Sequence, residues 1–239
     1  MRLTWSLFAG TCGIRAAISL PTKSFFGCSF PCSLLAYIFT EESTLPSPLA
    51  LPENYDTQVH MVAHQVRGRI FHATIPSVHL ASELMTSGAP ADIAEATDIF
   101  RTVLVCQEMR DTEPHHGNFR WELEDEVVED LNAVQFVLFY CIPVLYKTSD
   151  ALPPDLVAAM RRAIALGLEE IARIDVASAY TNIVLKDIAN SCLGGQLLSD
   201  NNIGRRGQEK LVRWMAHVDT YGLPAEYNSP NYVSVAVRV

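Results

Sequence analysis

From Val78 to Val218, the apolar residues of this chain recur at steps of three and four, in one stretch after another. This spacing places the apolar side chains on one face of an α-helix, so it predicts about six helices in sequence. Strand-like alternation is scarce, and the predicted connections are mostly short. Short connections between helices favour antiparallel hairpins, and the fold class that we predict is therefore all-α.

Prolines mark where two of these helices begin. Pro90 and Pro154 are each followed by acidic residues, and both features suit the first turn of a helix. The most apolar stretch, Glu126–Tyr146, predicts a helix that is buried on several sides. Pro143 is expected to kink that helix or to mark its last turn, because proline lacks the N–H that a helix interior uses.

Two adjacent glycines fall inside another predicted helix, Ala179–Leu198. The lack of a side chain at Gly194 and Gly195 would let a neighbouring helix approach closely, at some cost in helix stability. The last apolar stripe ends at Gly222, which we interpret as a C-terminal cap.

The composition excludes two classes of partner. The chain has 239 residues, of which 49% are hydrophobic, and it carries a formal net charge of −9. A net negative charge argues against an electrostatic grip on nucleic acid or on an anionic membrane surface. The longest nearly apolar run, Ala133–Tyr146, is shorter than the roughly 20 residues that cross a bilayer as a helix. We therefore expect neither a nucleic-acid partner nor a transmembrane segment.

The first forty residues differ from the rest, with three basic residues and no acidic one. Trp5–Ile14, which follows Arg2, has the character of the apolar part of a secretory signal. An organellar presequence and a leader with no structural role are the alternatives. We assign residues 1–50 to a leader and linker and residues 51–239 to the folded domain. Localisation, secreted or cytoplasmic, depends on whether the leader is a signal.

Two pairs of residues have spacings that invite a metal-site interpretation. His60 and His64 are four residues apart, so on a helix they would share a face and could bind a metal ion. No third ligand is evident, so we prefer an ordinary polar surface. Cys28 and Cys32 are separated by three residues, not by the two of a redox or zinc motif. We predict no metal site and no cofactor.

Chemically versatile side chains concentrate in three segments between or beside the predicted helices. His115–Trp121 combines imidazole, amide, guanidinium and indole groups, and Tyr180–Ile183 begins a buried helix. Glu226–Tyr232 holds a carboxylate, phenols and amides beyond the last helix. Such loops often line ligand sites, and Glu226 would act as a general acid or base if burial raised its pKa. The same residue types also cap turns and pack loops, which is the alternative for each segment.

The order of these segments, with Asp130–Phe136 between the first and the second, resembles an uncharacterised family of (α/α)-toroid proteins. That family is similar to six-hairpin glycosidases and to heparinase- and alginate-lyase-like proteins. The resemblance implies a ring of helical hairpins, with the site formed by loops at the open end of the ring. Residues 51–239 would then be part of such a ring. The implied function is that of a carbohydrate-active protein, a lyase or hydrolase acting on a glycan or uronate.

The resemblance also implies roles for particular residues. In a lyase of this shape, Asn118 or Asn182 would neutralise the uronate carboxylate, and a tyrosine or histidine would carry the proton. In a hydrolase, Glu226 would be the acidic residue. The catalytic candidates are Glu226, Tyr180, Tyr232 and His116. The substrate-binding candidates are Asn118, Trp121, Asn182, Tyr227 and Asn228.

A complete ring needs roughly twice the helices predicted here, so we expect half a ring with an exposed apolar edge. That edge predicts self-association, and truncation would leave the protein inactive. A non-catalytic helical module that binds or organises a partner on its concave face is the alternative, and a degenerate product without activity is a third. Convergence of Asn118, Asn182 and Glu226 on one pocket would favour the interpretation as a glycan-active protein.

Overall fold

A computed structural model describes residues 46–221, which lie within one compact unit. This range contains three short strands followed by six α-helices. The strands are β1 (Tyr55–Asp56), β2 (Met61–Val66) and β3 (Arg69–Ala73). The helices are α1 (Thr74–Ser87), α2 (Pro90–Val105), α3 (Ala133–Thr148), α4 (Pro154–Ile174), α5 (Thr181–Leu198) and α6 (Asn201–Tyr221). None of these helices is long and apolar enough to cross a membrane.

The three strands form a small antiparallel sheet in the order β1-β2-β3, so the prediction of an all-α fold was too strict. Arg67 and Gly68 connect β2 to β3 with φ angles of 51° and 81°, as a tight two-residue hairpin requires. The strands are short, and their far ends are solvent-exposed, so alternation between apolar and polar residues is weak. His64 lies on β2 and His60 lies just before it, so these two histidines do not share a helix face.

The helices form three hairpins, as the short connections predict. Helix α2 packs on α1, α4 on α3, and α6 on α5. Helices α1, α3 and α5 also pack side by side and run in the same direction. His79 lies beside Tyr140, with ring centroids 4.8 Å apart, and Tyr146 near the end of α3 donates a 3.2 Å hydrogen bond to Gln196 near the end of α5. We call α1, α3 and α5 the first layer. Helices α2, α4 and α6 each pack against the helix that precedes them in the chain.

The core lies mainly where α1 to α4 meet. Helix α3 is buried on several sides, as its apolar sequence predicts, and it continues through Pro143 to Thr148. It begins only at Ala133, because the chain before it turns, with Asp130 Oδ1 accepting a 2.8 Å hydrogen bond from the Asn132 N–H. The predicted helical start at Glu126 was therefore wrong. The largest buried apolar side chains include Leu84, Ile99, Phe100, Phe119, Leu138, Ile142, Leu145, Leu156, Met160 and Ile164.

Glycines bring α5 and α6 into close contact, which confirms the role predicted for the glycine pair. A Cβ placed on Gly195 would lie 2.5 Å from the backbone nitrogen of Gly204. A Cβ on Gly207 would lie 2.7 Å from Cys192 Sγ. On the far side of α6, Val212 and Met215 are exposed, in keeping with the expected apolar edge; self-association through it stays a prediction. The predicted cap, Gly222, lies outside the described residues.

Candidate functional site

Two of the three segments that the sequence analysis singled out lie at one end of the first layer. Residues 106–132 connect α2 to the start of α3, and residues 175–180 connect α4 to the start of α5. Since α3 and α5 run in the same direction, these two connections lie at the same end. The third segment, with Glu226, Tyr227, Asn228 and Tyr232, lies outside the described residues.

Asn118 holds the long α2–α3 connection together. Its side chain is fully buried, and Oδ1 accepts hydrogen bonds from the N–H groups of Phe119 (2.8 Å) and Val134 (3.1 Å). Its amide nitrogen donates to the Leu131 carbonyl (3.1 Å) and to Glu170 (3.4 Å). These four bonds use the hydrogen-bonding capacity of the amide, so Asn118 has nothing left to offer a ligand.

The same connection is fixed to α4 by charge and by a close backbone approach. Glu170 is buried, and its carboxylate lies 3.2 Å from His115 Nδ1 and 2.8 Å from Arg173 Nη2. Arg173 also donates a hydrogen bond to the carbonyl of His116, whose ring is half-buried. Gly117 has a φ of 96°, and a Cβ there would lie 2.5 Å from the carbonyl oxygen of Leu166 in α4. His116 is thus held mainly through its backbone.

A row of half-buried aromatic rings crosses the first layer from this end. The Trp121 ring lies 5.9 Å from that of Phe136, and the Phe139 ring lies 5.7 Å from that of Tyr140. Tyr140 is followed by His79 on α1 at 4.8 Å. We call Trp121, Phe136, Phe139 and Tyr140 the aromatic row. Each of these four residues keeps part of its surface exposed to solvent.

Lys186 of α5 sits within the aromatic row. Its ammonium nitrogen lies 4.8 Å from the centroid of Phe136 and 5.2 Å from that of Phe139. The residue is only 6% exposed, yet it makes no hydrogen bond or ion pair with any of residues 46–221. Burial lowers the pKa of this ammonium group, because the charged form loses its hydration. Cation–π contacts with the two rings offset part of this lost hydration.

Among residues 46–221, five polar side-chain atoms are buried without a hydrogen-bond partner: Trp121 Nε1, Glu122 Oε2, Gln135 Nε2, Asn182 Oδ1 and Trp214 Nε1. The Trp121 ring lies beside that of Phe136, which also lies near the Lys186 ammonium. Asn182 lies one turn before Lys186 on α5, so both side chains belong to the same helix face. Tyr180 is half-buried immediately before α5, and its carbonyl accepts hydrogen bonds from Ile183 (3.2 Å) and Val184 (2.9 Å). Unpaired buried polar atoms are costly, so Trp121 Nε1 and Asn182 Oδ1 are candidate contacts for a polar ligand.

The face of α5 that packs against α6 carries a charge cluster in which every member is paired. Asp187 is fully buried, and its carboxylate lies 2.7 Å from Arg206 Nη1 and 2.7 Å from Lys210 Nζ. Lys210 also lies 2.7 Å from Asp175, and Arg206 donates a 2.7 Å hydrogen bond to Ser191. We call Asp187, Arg206 and Lys210 the α5–α6 ion cluster. It joins α5 and α6, and its buried charges are already satisfied.

A second polar cluster fixes the segment that follows Trp121. His72 of β3 is buried, with Nδ1 2.5 Å from Glu124 and Nε2 3.3 Å from Asp56. Burial lowers the pKa of the His72 imidazole, but the hydrogen bonds to the two carboxylates outweigh it and the net shift is upward. The Thr74 N–H donates a 2.8 Å hydrogen bond to the carbonyl of Trp121. Across residues 46–221, no group of three or more His, Cys, Asp or Glu side chains could hold a metal ion.

The structure thus brings together some predicted site residues and not others. Trp121 belongs to the aromatic row and Asn182 lies one turn before Lys186 on α5, whereas the Asn118 side chain is used by hydrogen bonds within the fold. Lys186 and the aromatic row were not predicted from the sequence. The spacing of Phe136, Phe139 and Tyr140 on one helix, and a single lysine inside the apolar stretch of α5, were the available signals.

Comparison with known proteins gives one match. Neither the curated proteins nor the solved structures contain a match to this chain. A family model described as a domain of unknown function, DUF8769, matches residues 49–238, which include all of the described elements. This chain therefore belongs to the DUF8769 family.

Proposed function

We propose that this domain binds a saccharide that carries a carboxylate, at the end of the first layer where α3 and α5 begin. The observation that carries the proposal is Lys186, a buried cation without a counter-ion among residues 46–221, set within the aromatic row. Aromatic faces together with a few convergent polar groups are the usual composition of a site for a small polar ligand.

The aromatic row supports a sugar ring as the ligand. One face of a pyranose presents C–H groups, which pack against an aromatic face, while the hydroxyls at the rim require hydrogen bonds. Trp121 and Phe136 offer half-buried rings, and Asn182 Oδ1 offers a buried acceptor. A ligand with an apolar face and a polar rim would satisfy both kinds of surface.

The polar atoms near the row support a carboxylate on that sugar. Lys186 is a cation and Trp121 Nε1 is a donor, and neither has a hydrogen-bond acceptor within the described range. A charged hydrogen bond from a buried ammonium to a carboxylate is stronger than a neutral one. Binding a uronate would therefore supply the counter-ion that the fold itself does not.

The layer arrangement supports a relation to the (α/α) toroids. Three hairpins with one layer of parallel helices, and with the polar connections at one end of that layer, are what the resemblance implies for part of a ring. We therefore retain membership of such a ring as part of the proposal. The site would then lie on the face of the first layer that points into the ring.

Cleavage of the bound uronate is a second candidate function, and the position of Tyr180 favours it. Tyr180 lies two residues before Asn182 at the start of α5. Lys186 and the amide N–H of Asn182 would neutralise the uronate carboxylate, while the Tyr180 side chain, as the base, takes the proton from C5. A double bond then forms between C4 and C5, the C4–O bond breaks, and the leaving oxygen takes up a proton. The expected product is an unsaturated uronate, which ultraviolet absorbance detects.

Calorimetric titration with glucuronic acid tests the binding proposal. In Lys186→Met we expect binding to weaken by at least about tenfold, the effect of losing one charged hydrogen bond. Trp121→Phe keeps a ring and removes the N–H, so its affinity for glucuronic acid should fall about three- to tenfold. Arg162→Met, which removes an exposed cation from α4, is the matched control and should bind as the wild type does.

Circular dichroism of each variant separates a lost contact from a lost fold. Absence of binding by the wild-type chain, or equal affinities in wild type and a folded Lys186→Met, would overturn the proposal.

A further inference from the structure

The chain has four lysines, and the structure describes three of them, each in a different environment. Lys147 is solvent-exposed near the end of α3, so its ammonium group is hydrated. Lys210 is 2% exposed, and its nitrogen lies 2.7 Å from each of two carboxylates. Lys186 is 6% exposed, yet it has no ion pair among residues 46–221. Its environment therefore differs from those of the other two in supplying neither water nor a counter-ion.

This environment favours the neutral amine of Lys186 over the ammonium ion. The nitrogen lies 4.8 Å from the ring centroid of Phe136 and 5.2 Å from that of Phe139. Burial lowers the pKa of the group, because the charged form loses its hydration. The two ion pairs of Lys210, by contrast, require its charged form. The distinction is chemical, because only a neutral amine has the lone pair that attacks a carbon atom.

We infer that Lys186 is a reactive amine, which forms an imine with the carbonyl group of a small aldehyde or ketone, such as an open-chain sugar. The nitrogen lone pair adds to the carbonyl carbon, and a proton moves from the nitrogen to the carbonyl oxygen, which gives a carbinolamine. The hydroxyl group then leaves with the remaining N–H proton as water, and a C=N bond forms. The inference concerns the neutral amine, so it does not depend on the uronate proposed above.

Three features of the site support an imine at this position. A neutral imine needs no counter-ion, so its formation removes the cost of a buried unpaired charge. Asn182 Oδ1 is a buried acceptor without a partner, one turn before Lys186, and it can accept a hydrogen bond from the carbinolamine hydroxyl. The low exposure of the lysine limits the reacting compounds to small ones.

Trapping with glyceraldehyde tests the inference on the full chain. Glyceraldehyde has only three carbons, so it does not close into a pyranose ring, and cyanoborohydride reduces its imine to a stable secondary amine. Mass spectrometry of the digested protein then measures the label on each lysine. At pH 7 we expect Lys186 to carry at least about threefold more label than Lys147, and Lys210 to carry the least. In concentrated urea the excess at Lys186 should disappear, because every lysine is then hydrated.

A counter-ion placed beside Lys186 should suppress the reaction. Asn182→Asp puts a carboxylate one turn before the lysine on the same helix face, where an ion pair would hold the ammonium form. The label on Lys186 should then fall to the level of Lys147 or below. Asn201→Asp, at an exposed position at the start of α6, is the matched control and should be labelled as the wild type is.

Two results would overturn the inference. One is a wild-type Lys186 that is labelled no more than Lys147, and the other is undiminished labelling in an Asn182→Asp protein that circular dichroism shows to be folded. Glucuronic acid is absent from this assay, so a failure of the proposed function would leave the expected labelling unchanged.

Discussion

Two buried lysines, Lys186 on α5 and Lys210 on α6, differ in one respect. Lys210 is 2% exposed and lies 2.7 Å from each of two carboxylates, Asp187 and Asp175. Lys186 is 6% exposed and has no ion pair among residues 46–221, and its ammonium nitrogen lies near the rings of Phe136 and Phe139. The two sites have similar burial, so the difference lies in the counter-ion.

In the proposed function, this difference separates a lysine that stabilises the fold from one that binds the ligand. Burying an ion costs several kcal/mol of hydration, and a partner ion with good geometry offsets this cost. The α5–α6 ion cluster has such partners, so Lys210 contributes to the packing of α6 on α5. Among residues 46–221, Lys186 has no counter-ion, and its cation–π contacts are worth about 0.5–2 kcal/mol. In the proposed function, a carboxylate of the ligand would be its counter-ion.

The largest loss of stability that we expect comes from removing the buried carboxylate of the α5–α6 ion cluster. Asp187→Ala leaves Arg206 and Lys210 without their buried counter-ion, so the free energy of unfolding should fall by about 3–5 kcal/mol. Asp175→Ala removes the exposed partner of the same lysine, and its cost should be about 1 kcal/mol or less. Urea unfolding at pH 7 measures both. An Asp187→Ala protein as stable as the wild type would contradict the structural role of the cluster.

The next largest loss of stability is expected from a substitution at the contact between α5 and α6. Gly195→Ala would place a Cβ 2.5 Å from the backbone of Gly204, so α6 must move. We expect the free energy of unfolding to fall by about 1–3 kcal/mol. Gly204→Ala is the matched control, because a Cβ there meets nothing within 4 Å. Its unfolding free energy should be unchanged or raised by up to about 1 kcal/mol, since alanine favours a helix. Equal effects of the two substitutions would contradict the close approach of α5 to α6.

The smallest change in stability that we expect is a dependence on pH caused by His72, which is distant from both lysines in sequence. The folded-state pKa of His72 is raised by Glu124 and Asp56, so its ion pairs stabilise the fold fully below the unfolded pKa of about 6.5. This contribution is lost as the pH rises through the folded pKa. The stability difference between wild type and His72→Gln should therefore shrink between pH 6 and pH 9. A difference that stays constant over this range would contradict the assignment.

Much of the helical fold was predictable because its signals are local. Pro90 and Pro154 mark the starts of α2 and α4, and the apolar period gives the remaining helices to within a few residues, except at α3. The segment from Glu126 to Asn132 continues the apolar pattern but is bent by side-chain turns such as that at Asp130. The strands were missed because they are short and partly exposed, and they depend on their partners rather than on their own pattern.

The candidate site was less predictable because its main feature is a lysine, Lys186, that has no counter-ion among residues 46–221. Trp121 and Asn182 could be named from loop composition and from the resemblance. The importance of Lys186 depends on rings of α3, about 50 residues away in sequence, and on the lack of an acidic neighbour among the described residues. Asn118, by contrast, looked like a ligand residue, yet it holds the backbone of the connection, which only the folded contacts reveal.

The stability of Lys186→Met, with and without saturating glucuronic acid, tests most directly the claim that Lys186 is kept for a ligand. Without ligand, we expect the variant to unfold within about 1 kcal/mol of the wild type or to be more stable, because a buried unpaired charge is removed. With ligand, only the wild type should gain stability, so the wild type becomes the more stable protein. A variant destabilised by several kcal/mol without ligand, or an equal gain for both proteins with it, would contradict the claim.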